Sequence, residues 1–218
     1  MNKKGFTLIE LMLSMFIGAL VFGGVFTTFK NQKLLYSRQE KIIKINQDTR
    51  AALDIMKRYI KKAGISVSGC SSTDSNRICT GVENIGANFF TVTSDLDLSG
   101  TINNSIPRIA SDMEEVTFIK GGDNTLYICA GAVTSSPETN DKCEFILDNV
   151  DIFSVKGCYT DSSTGAVNCT NNSSDKDKFD SILLDLQAET KKSDLTEGAK
   201  IKGDKITMKV FFVNKIFQ

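Results

Sequence analysis

Glu10 is a carboxylate within an otherwise apolar run at residues 6–29. Charge is costly in such surroundings, so a positive partner is expected. If the chain were cut between Gly5 and Phe6, the new amine of Phe6 would share a helix face with Glu10. In a bundle of helices, Glu10 could equally pair with the Phe6 amine of a neighbouring chain, which would fix their axial stagger. The alternative is that Glu10 simply lies at the level of lipid headgroups.

The rest of the sequence offers little for catalysis or metal binding. There is no histidine, the commonest general base and metal ligand. The acidic run at residues 175–180 lacks the central glycine and distal glutamate of an EF-hand, so we interpret it as a solvated loop. Serine and cysteine nucleophiles have no histidine to activate them, and no glycine-rich phosphate-binding loop occurs. We therefore predict no enzyme activity, no cofactor, no metal and no small-molecule substrate.

The cysteines indicate an oxidising compartment. An even number without any C-x-x-C pair favours disulfides over a zinc or redox site. Nearest neighbours would close short loops, so we expect three pairs: Cys70–Cys79, Cys129–Cys143 and Cys158–Cys169. The alternative is a reduced protein with free, buried cysteines.

The apolar run at residues 6–29 is long enough to cross a bilayer as a helix, which takes about 20 residues. Lys3 and Lys4 precede it, so the positive-inside rule leaves the N-terminus in the cytoplasm and the later residues outside. No small-residue cleavage site follows, unlike in an ordinary secretory signal. The sequence thus predicts a single-pass membrane anchor in contact with lipid.

The helix is expected to continue through residues 30–63, which contain no proline, and to stop at Gly64. Its apolar residues recur at steps of three and four and predict a stripe that packs on a sheet: Leu35, Ile42, Ile45, Leu53, Met56, Tyr59, Ile60 and Ala63. Basic residues lie mainly elsewhere on the helix. We interpret them as a solvated face rather than a DNA-binding surface.

After Gly64, short β-rich runs alternate with turn residues. Strands are expected near residues 88–92, 115–119, 126–129, 145–147, 151–155, 181–187 and 205–213, and exposed loops at 71–76, 160–180 and 191–204. A hairpin turn is expected at residues 121–124. The predicted fold is α+β: a long N-terminal helix, transmembrane in its first half, packed on a mainly antiparallel C-terminal sheet.

The segment Lys3-Lys4-Gly5-Phe6-Thr7-Leu8-Ile9-Glu10 resembles the class III signal of type IV pilins and type II secretion pseudopilins. The resemblance implies cleavage after Gly5 by a prepilin peptidase, N-methylation of Phe6 and a filament role for Glu10. It also implies four parts: a leader at 1–5, a transmembrane assembly helix at 6–29, an amphipathic helix at 30–64 and a periplasmic or extracellular β-rich domain at 65–218. The expected location is the bacterial inner membrane and then a pilus at the cell surface.

Residues 50–64, followed by Cys70, are similar to the helix end of PilW-type minor pilins, in which an arginine-started helix ends in basic-x-Ala-Gly. The J-type pseudopilin of type II secretion shares this layout. The resemblance implies a minor pilin that helps to assemble or initiate a type IV pilus. Its partners would be other major and minor pilins and the inner-membrane assembly platform. A secretion pseudopilin and a signal-anchored periplasmic domain remain alternatives.

Overall fold

The computed structural model describes residues 7–64, 81–94, 114–190 and 200–212. The predicted Cys70–Cys79 pair, the predicted cleavage site at Gly5 and Phe6, and most of two predicted loops lie outside these residues. The chain divides into two compact units, residues 1–43 and residues 44–218. Each unit is described by itself.

One α-helix, α1 (Leu8–Lys62), contains 55 residues. No proline interrupts it, and Lys61 and Lys62 complement the helix dipole in its last turn. Gly64 follows with a left-handed backbone, φ 75°, and donates its N–H to the carbonyl of Thr93 at 2.8 Å. The predicted stop at Gly64 is confirmed, at the residue type that adopts this conformation at least cost.

The first of two antiparallel sheets is a meander in which each strand pairs with the next along the chain. Its strands are β1 (Val82–Ile85), β2 (Phe89–Thr93), β3 (Glu115–Lys120), β4 (Leu126–Ala130) and β5 (Cys143–Leu147). The β3–β4 hairpin turns at the predicted residues: the N–H of Gly121 bonds the carbonyl of Thr125 at 2.8 Å, and Asn124 has φ 62°.

The second sheet has the order β7-β6-β8-β9 and is also antiparallel. Its strands are β6 (Val150–Thr160), β7 (Val167–Thr170), β8 (Ser181–Ala188) and β9 (Ile206–Phe211). Asn149, with φ 54°, precedes β6. After this turn β6 pairs with β7 and β8 rather than with β5, so the chain forms a second sheet.

A hydrophobic core joins the C-terminal part of α1 to both sheets. Leu53, Met56 and Ile60 of the helix are fully buried. They share a cluster with side chains from the two sheets, among them Phe90, Phe118, Phe153, Leu184 and Leu186. The predicted stripe therefore packs against this core from Ile45 onward, whereas Leu35 is 56% exposed.

The predicted α+β class is confirmed, with corrections. The sequence predicts one sheet, and the structure has two. The predicted loop at 160–180 is wrong in part, because it contains β7 and a short 3-10 helix, Ser173–Lys178. Strand β1 was not predicted. Both missed strands are short, and tertiary pairing rather than composition defines them; Cys169 of β7, for instance, is disulfide-bonded to Cys158 of β6.

Candidate functional site

Residues 8–29 of α1 form a continuous apolar surface. Every large apolar side chain in this stretch is more than half exposed. Among the described residues, α1 is the helix long and apolar enough to cross a membrane. Soluble monomers rarely expose contiguous apolar patches of this size, so lipid or other chains must cover these side chains.

Glu10 caps the start of this helix together with Thr7. The backbone N–H and the hydroxyl of Thr7 both donate to Oε2 of Glu10 at 2.9 Å. In return, the N–H of Glu10 donates to the hydroxyl oxygen of Thr7 at 3.4 Å. This is a reciprocal capping box, which satisfies backbone donors that a helix N-terminus leaves without partners.

The sequence interpretation identified Glu10 but gave Thr7 no role of its own. The signal was present, because Thr-x-x-Glu before an apolar run is the sequence pattern of a capping box. Phe6, whose amine was predicted to pair with Glu10, lies outside the described residues. The Phe6–Glu10 pairing therefore stays a prediction.

The other hydroxyls in this stretch bond to carbonyls of their own helix. Ser14 donates to the carbonyl of Leu11 at 2.9 Å. Thr27 donates to the carbonyl of Gly23 at 2.7 Å, and Thr28 to that of Gly24 at 3.0 Å. These hydroxyl groups are therefore compatible with an apolar environment. In the sequence of residues 8–29, Glu10 is the only charged residue.

The acidic run at residues 175–180 does not converge on one point. Asp175 accepts from Lys178 at 2.8 Å, whereas Asp180 accepts from the hydroxyls of Thr160 and Ser181. Within the described ranges, no group of three His, Cys, Asp or Glu side chains could hold a metal ion.

Two of the three expected cysteine pairs lie in the described part of the chain, and both are bonded. Cys129 of β4 is joined to Cys143 of β5, and Cys158 of β6 to Cys169 of β7. In each case the two cysteines lie directly opposite each other on paired strands. Each bridge therefore fastens an outer strand of a sheet to its neighbour.

Residues 1–26 match the family model of the prokaryotic N-terminal methylation motif. The chain carries the class III signal of type IV pilins. The match covers the basic leader, Thr7, Glu10 and most of the apolar stretch, so it coincides with the capping box and the exposed surface described above. No curated protein matches the chain significantly.

This motif supports a type IV pilin-like or pseudopilin protein. It implies processing by a prepilin peptidase and assembly with other pilins. Together with the exposed apolar helix it fits a membrane-anchored subunit. It also suggests a structural role rather than a catalytic one.

Proposed function

We propose that this chain is a minor pilin that takes part in the assembly or initiation of a type IV pilus. It is inserted in the inner membrane, cut after Gly5, N-methylated at Phe6 and packed into the filament through residues 6–29. The observation that carries the proposal is Glu10 at the start of an exposed apolar helix, within a matched methylation motif. A subunit that moves from the membrane into a filament needs an apolar helix surface of this kind. Lipid covers that surface in the membrane, and neighbouring helices cover it in the filament.

The capping box leaves part of the Glu10 carboxylate for a second partner. Both donors of Thr7 bond to Oε2, and no described group bonds to Oε1. The amine of Phe6, from the same subunit or from a neighbour, is the natural donor to Oε1 once the leader is removed. A charge-assisted pair of this kind is strong in an apolar environment and sets the register of adjacent helices.

The globular unit supports a location outside the cytoplasm. The Cys129–Cys143 and Cys158–Cys169 bridges require oxidising conditions. Lys3 and Lys4 before the apolar stretch favour the orientation in which this unit is exported. The proposed route is therefore inner membrane, periplasm and then the pilus.

Replacement of Glu10 tests the proposal. We expect Glu10→Ala to be expressed and cut after Gly5, because the leader and the apolar run are unchanged. Its amount in sheared pili should fall about tenfold, because the filament loses roughly the free energy of one charge-assisted hydrogen bond. Mass spectrometry of the membrane form gives the cleavage site, and immunoblots of membrane and sheared fractions give incorporation.

Ser14→Ala is the matched control, since it removes a polar group of the same stretch that bonds within its own helix. It should be incorporated like the wild type. Full incorporation of Glu10→Ala, or a mature protein that does not start at Phe6, would exclude the proposed mechanism. Intact pili together with lost export of folded proteins would point to a type II secretion pseudopilin instead.

A further inference from the structure

The two outer strands of the first sheet differ in how their edges are covered. Next to β1, the hydroxyl of Ser173 accepts from the N–H of Ile85 at 3.1 Å and donates to the carbonyl of Ile85 at 2.9 Å. This side chain occupies the backbone groups with which another strand would pair. At the opposite edge, no described strand pairs with the outer side of β5.

Strand β5 has only part of the usual protection of an edge: its register against β4 shifts between Leu126 and Tyr127, and the N–H of Cys143 bonds the carbonyl of Asn140 at 3.1 Å. Its sequence, Cys-Glu-Phe-Ile-Leu, contains neither lysine nor proline. Phe145 is 73% exposed, more than any other large apolar side chain of the residue 44–218 unit that the structure describes. An edge strand with an exposed aromatic side chain is a template for pairing with another strand.

The hydrogen bonds between β4 and β5 show which residues of β5 direct their backbone N–H and C=O groups away from the sheet. The N–H of Ala130 in β4 bonds the carbonyl of Lys142 at 3.0 Å. The register continues with Ile128 opposite Glu144 and Tyr127 opposite Phe145. In an antiparallel strand, every second residue bonds to the same neighbouring strand through its backbone. The backbone N–H and C=O of Glu144 therefore point toward β4, and those of Phe145 point away from it.

An acidic, aromatic dish of about 610 Å³ lies beside this edge. Tyr127 and Phe145 supply its rings, Asp123 and Asp148 supply carboxylates, and none of the lining residues is lysine or arginine. The hydroxyl of Tyr127 donates to Oδ2 of Asp123 at 2.7 Å. Carboxylates next to exposed aromatic faces favour a cationic side chain.

The chain itself has a strand of the complementary type. Strand β9 ends the order of the second sheet, and residues 205–211 include two lysines and no acidic residue. Lys205 pairs with Asp185 at 3.0 Å. The ammonium of Lys209 lies 4.9 Å from the ring centroid of Phe211, and no carboxylate of the described residues pairs with it.

The outward residues of β9 follow from the same reasoning. The N–H of Phe212 bonds the carbonyl of Asp180 at 3.1 Å, and the register places Val210 opposite Ile182 and Met208 opposite Leu184. Met208 and Val210 therefore bond to β8, whereas the backbone groups of Lys209 and Phe211 point outward. Lys209 and Phe211 are both exposed.

We propose that β5 of one chain pairs with β9 of a second copy, antiparallel, with Lys209 entering the dish beside Phe145. Outward residues of both strands then face each other, and Lys209 lies on the face that carries Tyr127 and Asp123. The contact joins different surfaces of the two copies, so it is heterologous, and the rotation between successive copies decides whether it closes into a ring or continues as an open row. It uses no residue of α1 and is independent of the proposed function.

Photo-crosslinking of the full chain in detergent tests this contact. Phe145 is replaced by 4-benzoylphenylalanine in one copy, a second copy carries a tag, and the crosslinked peptide is identified by mass spectrometry. We expect a dimer whose adduct lies within residues 205–211. The same replacement at Val167, an exposed apolar residue of β7, should not give that adduct.

Charge reversal tests whether the contact of Lys209 with the acidic dish stabilises the pairing of β5 with β9. Lys209→Glu in the tagged copy should lower the adduct yield about threefold, the effect of opposing like charges across paired strands. Adding Asp123→Lys to the copy with the photoreactive residue should restore the yield, because Asp123 is the carboxylate on the face that Lys209 enters. Glu10→Ala should leave it unchanged, so a failure of the pilus proposal would not be mistaken for a failure of this one. No dimer, an adduct elsewhere in the chain, capture of another protein alone, or a yield unaffected by Lys209→Glu would overturn the proposal.

Discussion

Asn46 and Asp204 exchange two hydrogen bonds: Nδ2 of Asn46 donates to Oδ2 of Asp204 at 2.8 Å, and the N–H of Asp204 donates to Oδ1 of Asn46 at 2.9 Å. Beside this pair, the N–H of Gly203 bonds the carbonyl of Ala188 at 2.8 Å. A Cβ at Gly203 would lie 2.7 Å from Ile45. The segment before β9 is thus held against α1 by the two Asn46–Asp204 hydrogen bonds and by the close approach of the Gly203 backbone to Ile45.

Asn46→Ala removes both bonds, and we expect the folded state to lose about 1 kcal/mol, since the pair is partly exposed. The melting temperature of the full chain in detergent should fall by about 3 °C. Asn46→Asp keeps the acceptor for the Asp204 N–H but opposes two carboxylates, so it should be no more stable than Asn46→Ala. Gln47→Ala, at the exposed neighbouring position, is the control. Equal melting of Asn46→Ala and Gln47→Ala would contradict this role.

Phe179 packs directly on Gly157 of β6. A Cβ built on Gly157 would lie 2.3 Å from the Phe179 ring, which is fully buried. Gly157→Ala must displace the ring, so we expect a loss of about 2 kcal/mol. The urea midpoint of the full chain measures it, with Lys156→Ala at the exposed adjacent position as control. If the ring is the cause, Phe179→Leu should recover part of the stability in the Gly157→Ala background.

Local pattern predicted much of this fold but not its long-range contacts. The β3–β4 hairpin was predicted because alternating apolar residues flank Gly121-Gly122-Asp123-Asn124. The first turn of α1 was predictable too, from the Thr-x-x-Glu pattern at Thr7 and Glu10. By contrast, the Asn46–Asp204 pair spans 158 residues, and its geometry depends on how the second sheet packs on the helix. No local signal encodes such a pair.

Tyr127 should titrate at unusually high pH. The hydrogen bond to Asp123 raises the pKa of Tyr127 to about 12, from an ordinary 10.0. A raised pKa means that the folded state favours the protonated phenol. The resulting stabilisation is complete below about pH 10 and is lost as the pH rises through about 12.

Asp123→Asn replaces the charged acceptor and should return the pKa of Tyr127 toward its ordinary value. Spectrophotometric titration of tyrosinate measures this, with Tyr127→Phe to assign the signal. Asp148→Asn is the matched control, because Asp148 lines the same dish but accepts from Thr125. An unchanged titration in Asp123→Asn would show that another group holds the phenol proton.

The hydroxyl of Thr7 should hold the first turn of α1 in place. Thr7→Val keeps the shape but removes the group that donates to Oε2 of Glu10 and accepts from the N–H of Glu10. Losing an N-cap costs about 1 kcal/mol, so the amide of Glu10 should exchange with deuterium about fivefold faster in detergent. Thr7→Ser keeps the hydroxyl and should exchange like the wild type. If Thr7→Ser and Thr7→Val exchange alike, the capping box does not stabilise this turn.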